Sequence, residues 1–225
     1  MSLENSMQLP SKKLENKLFK KGFKYIVGVD EVGAGPLAGP VVVCATLFDK
    51  KFYSQKHEEL FEVRDSKLLS SKKRQELSDR ILESKIRYQI GSCSPEKIDR
   101  INIFQAIQAA MRMAVFKLVK KYKIKPKQVM VLLDGRNLIS NLDLAQQAIV
   151  KGDRKVFAIS CASIIAKVKR DKIMDNYSKK YSNYGFEKHK GYGTKDHFAK
   201  LRKYGLCPIH RKSFCRNLHF SEARR

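Results

Sequence analysis

Residues 129–133 read Val-Met-Val-Leu-Leu, an unbroken apolar run that stops at Asp134-Gly135. A run this short, bounded by a turn signal and without polar alternation, reads as a strand covered on both faces. Such a strand requires helices above and below its sheet. The flanking sequence supplies them. Residues 102–122 predict a long helix whose Ala106, Ala109, Ala110, Met113 and Phe116 mark a close-packed face. Residues 156–179 predict a second, apolar in its first half and basic in its second.

The remaining elements fit the same layered architecture. Tyr25-Ile26-Val27-Gly28-Val29-Asp30 is a short β-rich run followed by a glycine-proline turn, residues 41–48 form a strand rich in β-branched side chains, and residues 86–92 alternate as a strand does. Residues 70–84 predict an amphipathic helix with Leu77, Ile81 and Leu82 on one side and Ser70 or Ser71 as its N-cap. A shorter helix is expected over 194–204, before a basic tail. Strands and helices alternate without an internal repeat or a low-complexity linker. The expected division is a basic arm over residues 1–23, helical at best, and a single α/β domain over 24–225 that ends in a helical region from about residue 175. A chain of 225 residues buries roughly 70% of its unfolded surface and needs no staples.

The charge is strongly one-sided: 47 Lys and Arg against 22 Asp and Glu, a net +25. Such a field draws polyanions, nucleic acid above all, although lysine also serves as ordinary solubilising surface. Five scattered cysteines without a C-x-x-C pair argue against a disulfide framework or a structural zinc site and suit a reducing cytosol. No apolar run approaches the about 20 residues of a membrane span, and polar Glu4, Asn5 and Gln8 stand where a signal peptide needs apolar residues. A cytoplasmic location is expected. There is no H-E-x-x-H, no G-x-S-x-G and no Walker loop, and the spacing of Gly33, Gly35 and Gly39 is wrong for a dinucleotide site.

Against this basic background, several carboxylates occupy expensive positions. Asp30-Glu31 closes the first strand, Asp134 closes the buried one, and Asp171 lies on the second long helix one turn after Lys167. Open sheets present ligand-binding residues just beyond the carboxyl ends of their strands. Each residue has an ordinary structural reading too: Asp134-Gly135 as a turn, Asp171 as an ion pair with Lys167, Glu31 as a helix cap. Adjacent residues on a strand face opposite ways, so Asp30 and Glu31 share a site only if the strand has ended by Glu31, an ending that Gly33-Ala34-Gly35-Pro36 favours. Four carboxylates gathered together repel unless cations lie between them, and an all-oxygen donor set points to Mg²⁺ or Mn²⁺. A metal-filled acidic pocket in a basic surface suits phosphodiester cleavage.

The stretch Gly28-Val29-Asp30-Glu31-Val32-Gly33-Ala34-Gly35-Pro36-Leu37-Ala38-Gly39-Pro40-Val41 resembles the opening motif of the bacterial ribonuclease HII family, the type 2 ribonucleases H. Further resemblances follow in the family's order: Asp65-Ser66-Lys67, Leu133-Asp134-Gly135, Lys151-Gly152-Asp153, residues 162–171, residues 184–194 and residues 208–214. Together they run from Lys24 to Phe214. The resemblance implies an RNase H-like fold, a central mixed β-sheet flanked by helices, with a C-terminal helical region that helps hold substrate. It implies Asp30, Glu31, Asp134 and Asp171 as catalytic ligands of a two-metal site. It also implies cleavage of the RNA strand of RNA–DNA hybrids and nicking 5′ of single ribonucleotides in duplex DNA, leaving 3′-hydroxyl and 5′-phosphate ends. The implied partners are those nucleic acids and no membrane, and a monomer is expected.

Tyr192 matches the family tyrosine that stacks on the sugar beside the RNA–DNA junction. Lys67, Lys190, Arg211, Lys212 and Ser213 are expected at phosphates, with solvated surface as the plainer reading, and His210 is expected to be a packed core residue. One departure stands out: the family's glycine-arginine-glycine is Gly33-Ala34-Gly35 here, which keeps the glycine backbone and loses the arginine's fork of donors. The rival readings are another nuclease or integrase on the same fold, and a catalytically impaired hybrid-binding protein.

Overall fold

The computed structural model describes residues 10–60, 62–63 and 69–216. Among these, five strands form one mixed sheet in the order β3-β2-β1-β4-β5. β1 (Tyr25–Val32) pairs antiparallel with β2 (Val41–Asp49), and β2 pairs antiparallel with β3 (Arg87–Cys93). On its other side β1 runs parallel to β4 (Val129–Asp134), which runs parallel to β5 (Ala145–Ile149). The two central parallel strands are the expected ones, and both point their carboxyl ends to the same edge. β5 was not apparent in the sequence: Ala-Gln-Gln-Ala-Ile lacks the β-branched residues that mark strands, and it lies half-exposed at the sheet's edge.

One face of the sheet is covered by α5 (Ile103–Lys121), whose Ala106, Ala110 and Ala114 let it approach Val27, Val29, Val43 and Leu133. Asn102, at φ +62°, separates α5 from the preceding α4 (Pro95–Ile101) and caps α5 by accepting from Gln105 N–H, so the expected helix start is a junction of two helices. The other face is covered by α7 (Phe157–Lys180), whose stretch from Phe157 to Ala166 is buried throughout. Strand alternation distributes β1 between them: Ile26 faces α7, and Val27 and Val29 face α5. At 24 residues and about 1.5 Å per residue, α7 outruns the sheet. Its distal half enters a third apolar cluster of Ala38, Met174, Tyr184, Phe186, Leu201 and Ile209, together with α8 (Phe186–His189) and α9 (Lys195–Tyr204).

The α7 layer is completed by α3 (Ser71–Glu83), capped by Ser70 through a bond from Lys73 N–H, and by α2 (Lys50–Ser54). The expected arm does not stand apart. Its helix α1 (Lys13–Lys20) buries Leu18 and Phe19 in the α7-side core, and Ser11 bridges Val156. The Glu15 carboxylate accepts from Ala158 N–H at 3.2 Å and from the Tyr53 hydroxyl at 2.9 Å, placing a negative charge at the start of α7. Burial pushes its pKa up. Among the described residues no helix is long and apolar enough to cross a membrane.

Close approach of α7 to β1 depends on Gly28. A Cβ there would fall inside the Ala158 carbonyl and meet the Ile159 nitrogen, backbone atoms that cannot rotate away. Gly28→Ala is expected to lower stability by about 1–3 kcal/mol or somewhat more through overpacking, read as a reduced urea midpoint at unchanged m-value.

Candidate active site

The site begins where β1 and β4 end. The register pairs Val29 with Leu133, so Asp30 and Asp134 follow side by side on adjacent parallel strands, both on the α7 side of the sheet. Asp134 is braced by Gly152 N–H, which donates to its Oδ1 at 2.7 Å. Asp30 is 5% exposed, accepts Glu31 N–H on its own Oδ1 at 2.8 Å, and is hydrogen-bonded by Ser163 from α7.

Contrary to the expectation that the strand has ended by Glu31, β1 continues to Val32, and Glu31 pairs with Val43. Glu31 therefore has the opposite facing from Asp30, at the rim. Its charge still reaches Asp30. Burial first, then repulsion by Glu31, Asp134 and Asp153, hold the Asp30 carboxyl well above the usual aspartate range, with the Ser163 bond opposing. Asp153, buried at the start of α6 (Gly152–Lys155), is a carboxylate that sequence reasoning did not single out, although it stands in the motif Lys151-Gly152-Asp153.

Asp171 sits further along α7 and is engaged elsewhere. Lys167 Nζ lies 2.6 Å from its Oδ1, one helical turn away, and Arg74 from α3 lies 3.6 Å from its Oδ2. The structure thus sets Asp30 and Asp134 side by side, leaves Glu31 facing the other way but within reach of the Asp30 charge, and holds Asp171 on cations. Among the described residues no three His, Cys, Asp or Glu side chains converge tightly enough to hold a metal ion as they stand. The donor set is nonetheless suited to one. Its members are carboxylates only, and the central one is buried among like charges that a hard cation would relieve.

The loop after β1 is stapled from beneath by two fully buried arginines. Arg211 donates from Nε to Gly39 O, from Nη1 to Ala34 O and from Nη2 to Gly33 O, at 2.6–3.0 Å. Arg170 donates to Pro40 O, Ala38 O and Lys190 O. Arg211 is thus not an open phosphate contact as expected: it is 0% exposed and its three nitrogens are committed to carbonyls. Burial and the neighbouring Arg170 push its pKa down to about 9. Because carbonyl and amide point oppositely across a trans peptide, tethering Gly33 O and Ala34 O turns the N–H groups of Ala34 and Gly35 to the other side. Ala34 and Gly35 are exposed there. Gly33 needs to be glycine, with φ +96° and the Arg170 side chain where a Cβ would stand. Gly35 meets neither restriction, and a Cβ there would find open space.

Tyr192 is 41% exposed, its ring 5.8 Å from the Arg170 guanidinium. The other expected contacts are more constrained. Lys190 forms an ion pair with Asp175. Ser213 donates its hydroxyl to Asp99, which also accepts Lys212 N–H at 2.8 Å and Ser213 N–H at 3.0 Å, so Ser213 braces the turn after Arg211. The Lys212 side chain is exposed, and Lys67 lies outside the described residues. Sequence reasoning missed the stapling role of Arg170, although it stands inside a matched motif beside Asp171, because a buried arginine and a surface one look alike in sequence.

The sequence profile of the family described as Ribonuclease HII matches residues 27–221. The Ribonuclease HII of Caldicellulosiruptor bescii is 47% identical over 205 residues, covering 91% of this chain and 93% of that protein. The crystal structure of ribonuclease H2 from Pyrococcus horikoshii OT3 superposes with a TM-score of 0.68 at 26% identity, covering 84% of this chain and 93% of that one. Bst-RNase HIII in complex with Mn²⁺ superposes with a TM-score of 0.63 at 19% identity, over 82% of this chain and 64% of that one, a likeness of fold alone.

A carboxyl whose pKa is raised on folding binds more protons in the folded state. Its contribution opposes folding increasingly as pH climbs from the ordinary aspartate value through the raised one, and fully above it. Asp30→Asn, with EDTA present, is therefore expected to raise the midpoint of thermal unfolding at pH 7.5, and the gain should shrink as pH falls toward 4. Adding Mg²⁺ or Mn²⁺ should stabilise the unsubstituted protein more than the variant.

Proposed function

Because this chain belongs to the ribonuclease HII family, metal-dependent endoribonucleases of the ribonuclease H type that act on RNA–DNA hybrids, we propose that it cleaves such hybrids and nicks at ribonucleotides embedded in duplex DNA, with Asp30, Glu31, Asp134 and Asp171 as the ligands of two divalent ions. The observation that carries this reading is the pairing of Asp30 and Asp134 at adjacent strand ends, directly before a loop whose amides face away from Arg211. When bound, divalent ions would supply an activated water and charge stabilisation of the leaving 3′-oxygen. The structural likeness to an enzyme solved with Mn²⁺ agrees with that choice of ion.

The chain's own residues prepare the rest. Gly152 N–H and Ser163 fix Asp134 and Asp30 in place. Lys167 and Arg74 hold Asp171 in ion pairs, giving it cationic partners that a metal ion would replace. Arg170 and Arg211 shape the Gly33–Pro40 loop and bring buried positive charge beneath it, which favours an approaching phosphate. The outward amides of Ala34 and Gly35 and the exposed ring of Tyr192 are the groups that meet the ribose and its 2′-hydroxyl, the one group that separates RNA from DNA. Open space at Gly35 suits close approach of a ligand to the backbone.

A duplex with one embedded ribonucleotide and a long hybrid, each incubated with Mg²⁺, Mn²⁺ or EDTA and resolved on a gel, test the proposal. Cleavage of DNA without ribonucleotides would favour another nuclease, and binding without cleavage an impaired hybrid binder. Asp134→Asn keeps an oxygen for Gly152 N–H and removes a charge, so cleavage should fall at least about a hundredfold while hybrid binding persists. Turnover close to that of the unsubstituted protein would refute the assignment of Asp134.

Ala34 gives a second expectation. On a long hybrid many contacts share the binding, whereas at a lone ribonucleotide one charge-assisted contact worth about 1.5–3 kcal/mol is a large share. Ala34→Arg is expected to raise kcat/KM on the single-ribonucleotide duplex by roughly ten- to a hundredfold, and by less on the long hybrid. Equal gains, or none, would mean that the loop backbone and Tyr192 suffice.

A further inference from the structure

Below Tyr192, the buried side chains of His189, His197 and His210 stand in contact. The Nε2 atoms of His197 and His210 are 3.0 Å apart, and the His189 ring stacks on that of His197 at 4.3 Å and 15°. Their surroundings assign every proton in the pair. Cys207 N–H donates to His210 Nδ1 at 2.9 Å, so that nitrogen is bare and the proton sits on Nε2. The Cys207 carbonyl lies 3.2 Å from the same Nδ1 but takes the His210 backbone N–H at 2.9 Å, so it leaves Nδ1 to accept from Cys207 N–H. At the other end, His197 Nδ1 lies 2.9 Å from the Tyr192 carbonyl, which can only accept, so Nδ1 carries the proton and Nε2 is bare. A protonated Nε2 therefore faces a bare one, and a single directed chain runs from Cys207 N–H through His210 and His197 to Tyr192 O.

The recipient segment requires such support. Lys190 and Gly191 are consecutive left-handed residues, at φ +50° and +85°, a conformation that costs free energy at the lysine. Gly191 N–H donates to His189 Nδ1, Tyr192 N–H donates to His189 O, and Tyr192 O also receives Thr194 N–H. Tyr192 is thus gripped on both sides of its backbone while its ring stays exposed. Burial pushes His197 and His210 down to about 4, keeping both neutral, with Asp196, Glu187 and Lys200 as the charges nearby. A second proton on either ring would set N–H against N–H and break the chain.

We propose that the His210–His197 pair is a positioning relay that fixes where the Tyr192 ring stands, and that recognition of the ribose depends on it while the metal chemistry does not. This rests on the reading of Tyr192 as a substrate contact. The test measures KM and kcat on a duplex carrying one ribonucleotide, with Mg²⁺, for the full chain and its Tyr192→Ala, His210→Phe, His210→Gln and Tyr192→Ala/His210→Phe variants. His210→Phe should raise KM roughly three- to tenfold, the scale of one buried hydrogen bond, with kcat unchanged within about twofold. His210→Gln, which can donate to His197, should recover most of the loss. In the Tyr192→Ala background, His210→Phe should add nothing.

If Tyr192→Ala leaves KM unchanged, the substrate reading of Tyr192 fails and the proposal with it. If Tyr192→Ala raises KM but the His210→Phe effect is additive, or falls on kcat, the relay alone is overturned. In ¹⁵N-labelled unsubstituted protein the bond should appear as a scalar coupling between the two Nε2 nuclei. A pair of uncoupled or doubly protonated imidazoles at pH 7 would overturn it whether or not the variants fold.

Discussion

The approach of α7 to β1 at Gly28 sets the geometry of everything that follows. With no Cβ between them, strand and helix touch backbone to backbone, and the helix then runs on past the edge of the sheet. One rigid rod thereby carries Ser163 to Asp30, Asp171 to the rim, Arg170 beneath the loop after β1 and Met174 into the third apolar cluster. These side chains act at different depths of the site, and their spacing is the fixed rise of a single helix. The same helix is steadied at its start by Glu15, from a segment far away in sequence.

Burying two guanidiniums without a direct carboxylate partner among the described residues is expensive, and the molecule offsets it with hydrogen bonds. Arg170 and Arg211 between them bind the carbonyls of Gly33, Ala34, Ala38, Gly39, Pro40 and Lys190. The bonds to Gly33, Ala38, Gly39 and Pro40 satisfy loop carbonyls in buried surroundings, and those to Ala34 and Lys190 are partly buried. The consequence is an irregular loop with five of its carbonyls tethered, and with the amides of Ala34 and Gly35 turned to the opposite side. An acidic site at the strand ends and a cationic bed beside it then lie next to each other, the arrangement that metal-assisted phosphate chemistry requires.

The stability of the free protein is spent in a particular place. Asp30 is buried near Glu31, Asp134 and Asp153, and its raised pKa records first that burial and then the repulsion. Asp171 is ion-paired with Lys167 and Arg74 instead. A divalent ion at the proposed site would relieve that cost, so the same strain that weakens the fold would strengthen ion binding.

The sequence by itself determined the layered α/β class, the central strands, the two long helices expected over 102–122 and 156–179, a cap at Ser70 or Ser71, and Asp30 with Asp134 toward strand ends. These are legible because periodicity, chain punctuation and capping act over a few residues. Polar β5, the docking of α1 and the break at Asn102 are weak or silent in local pattern, and packing decided them. Only tertiary structure could decide that Glu31 stays within the strand, that Arg211 faces carbonyls while Lys212 faces solvent, that Ser213 serves Asp99, and that the rings of His197 and His210 meet at their Nε2 atoms. The physical reason is common to all of them. A charged or polar side chain takes its role from what surrounds it, and its neighbours here lie up to 178 residues away in the chain.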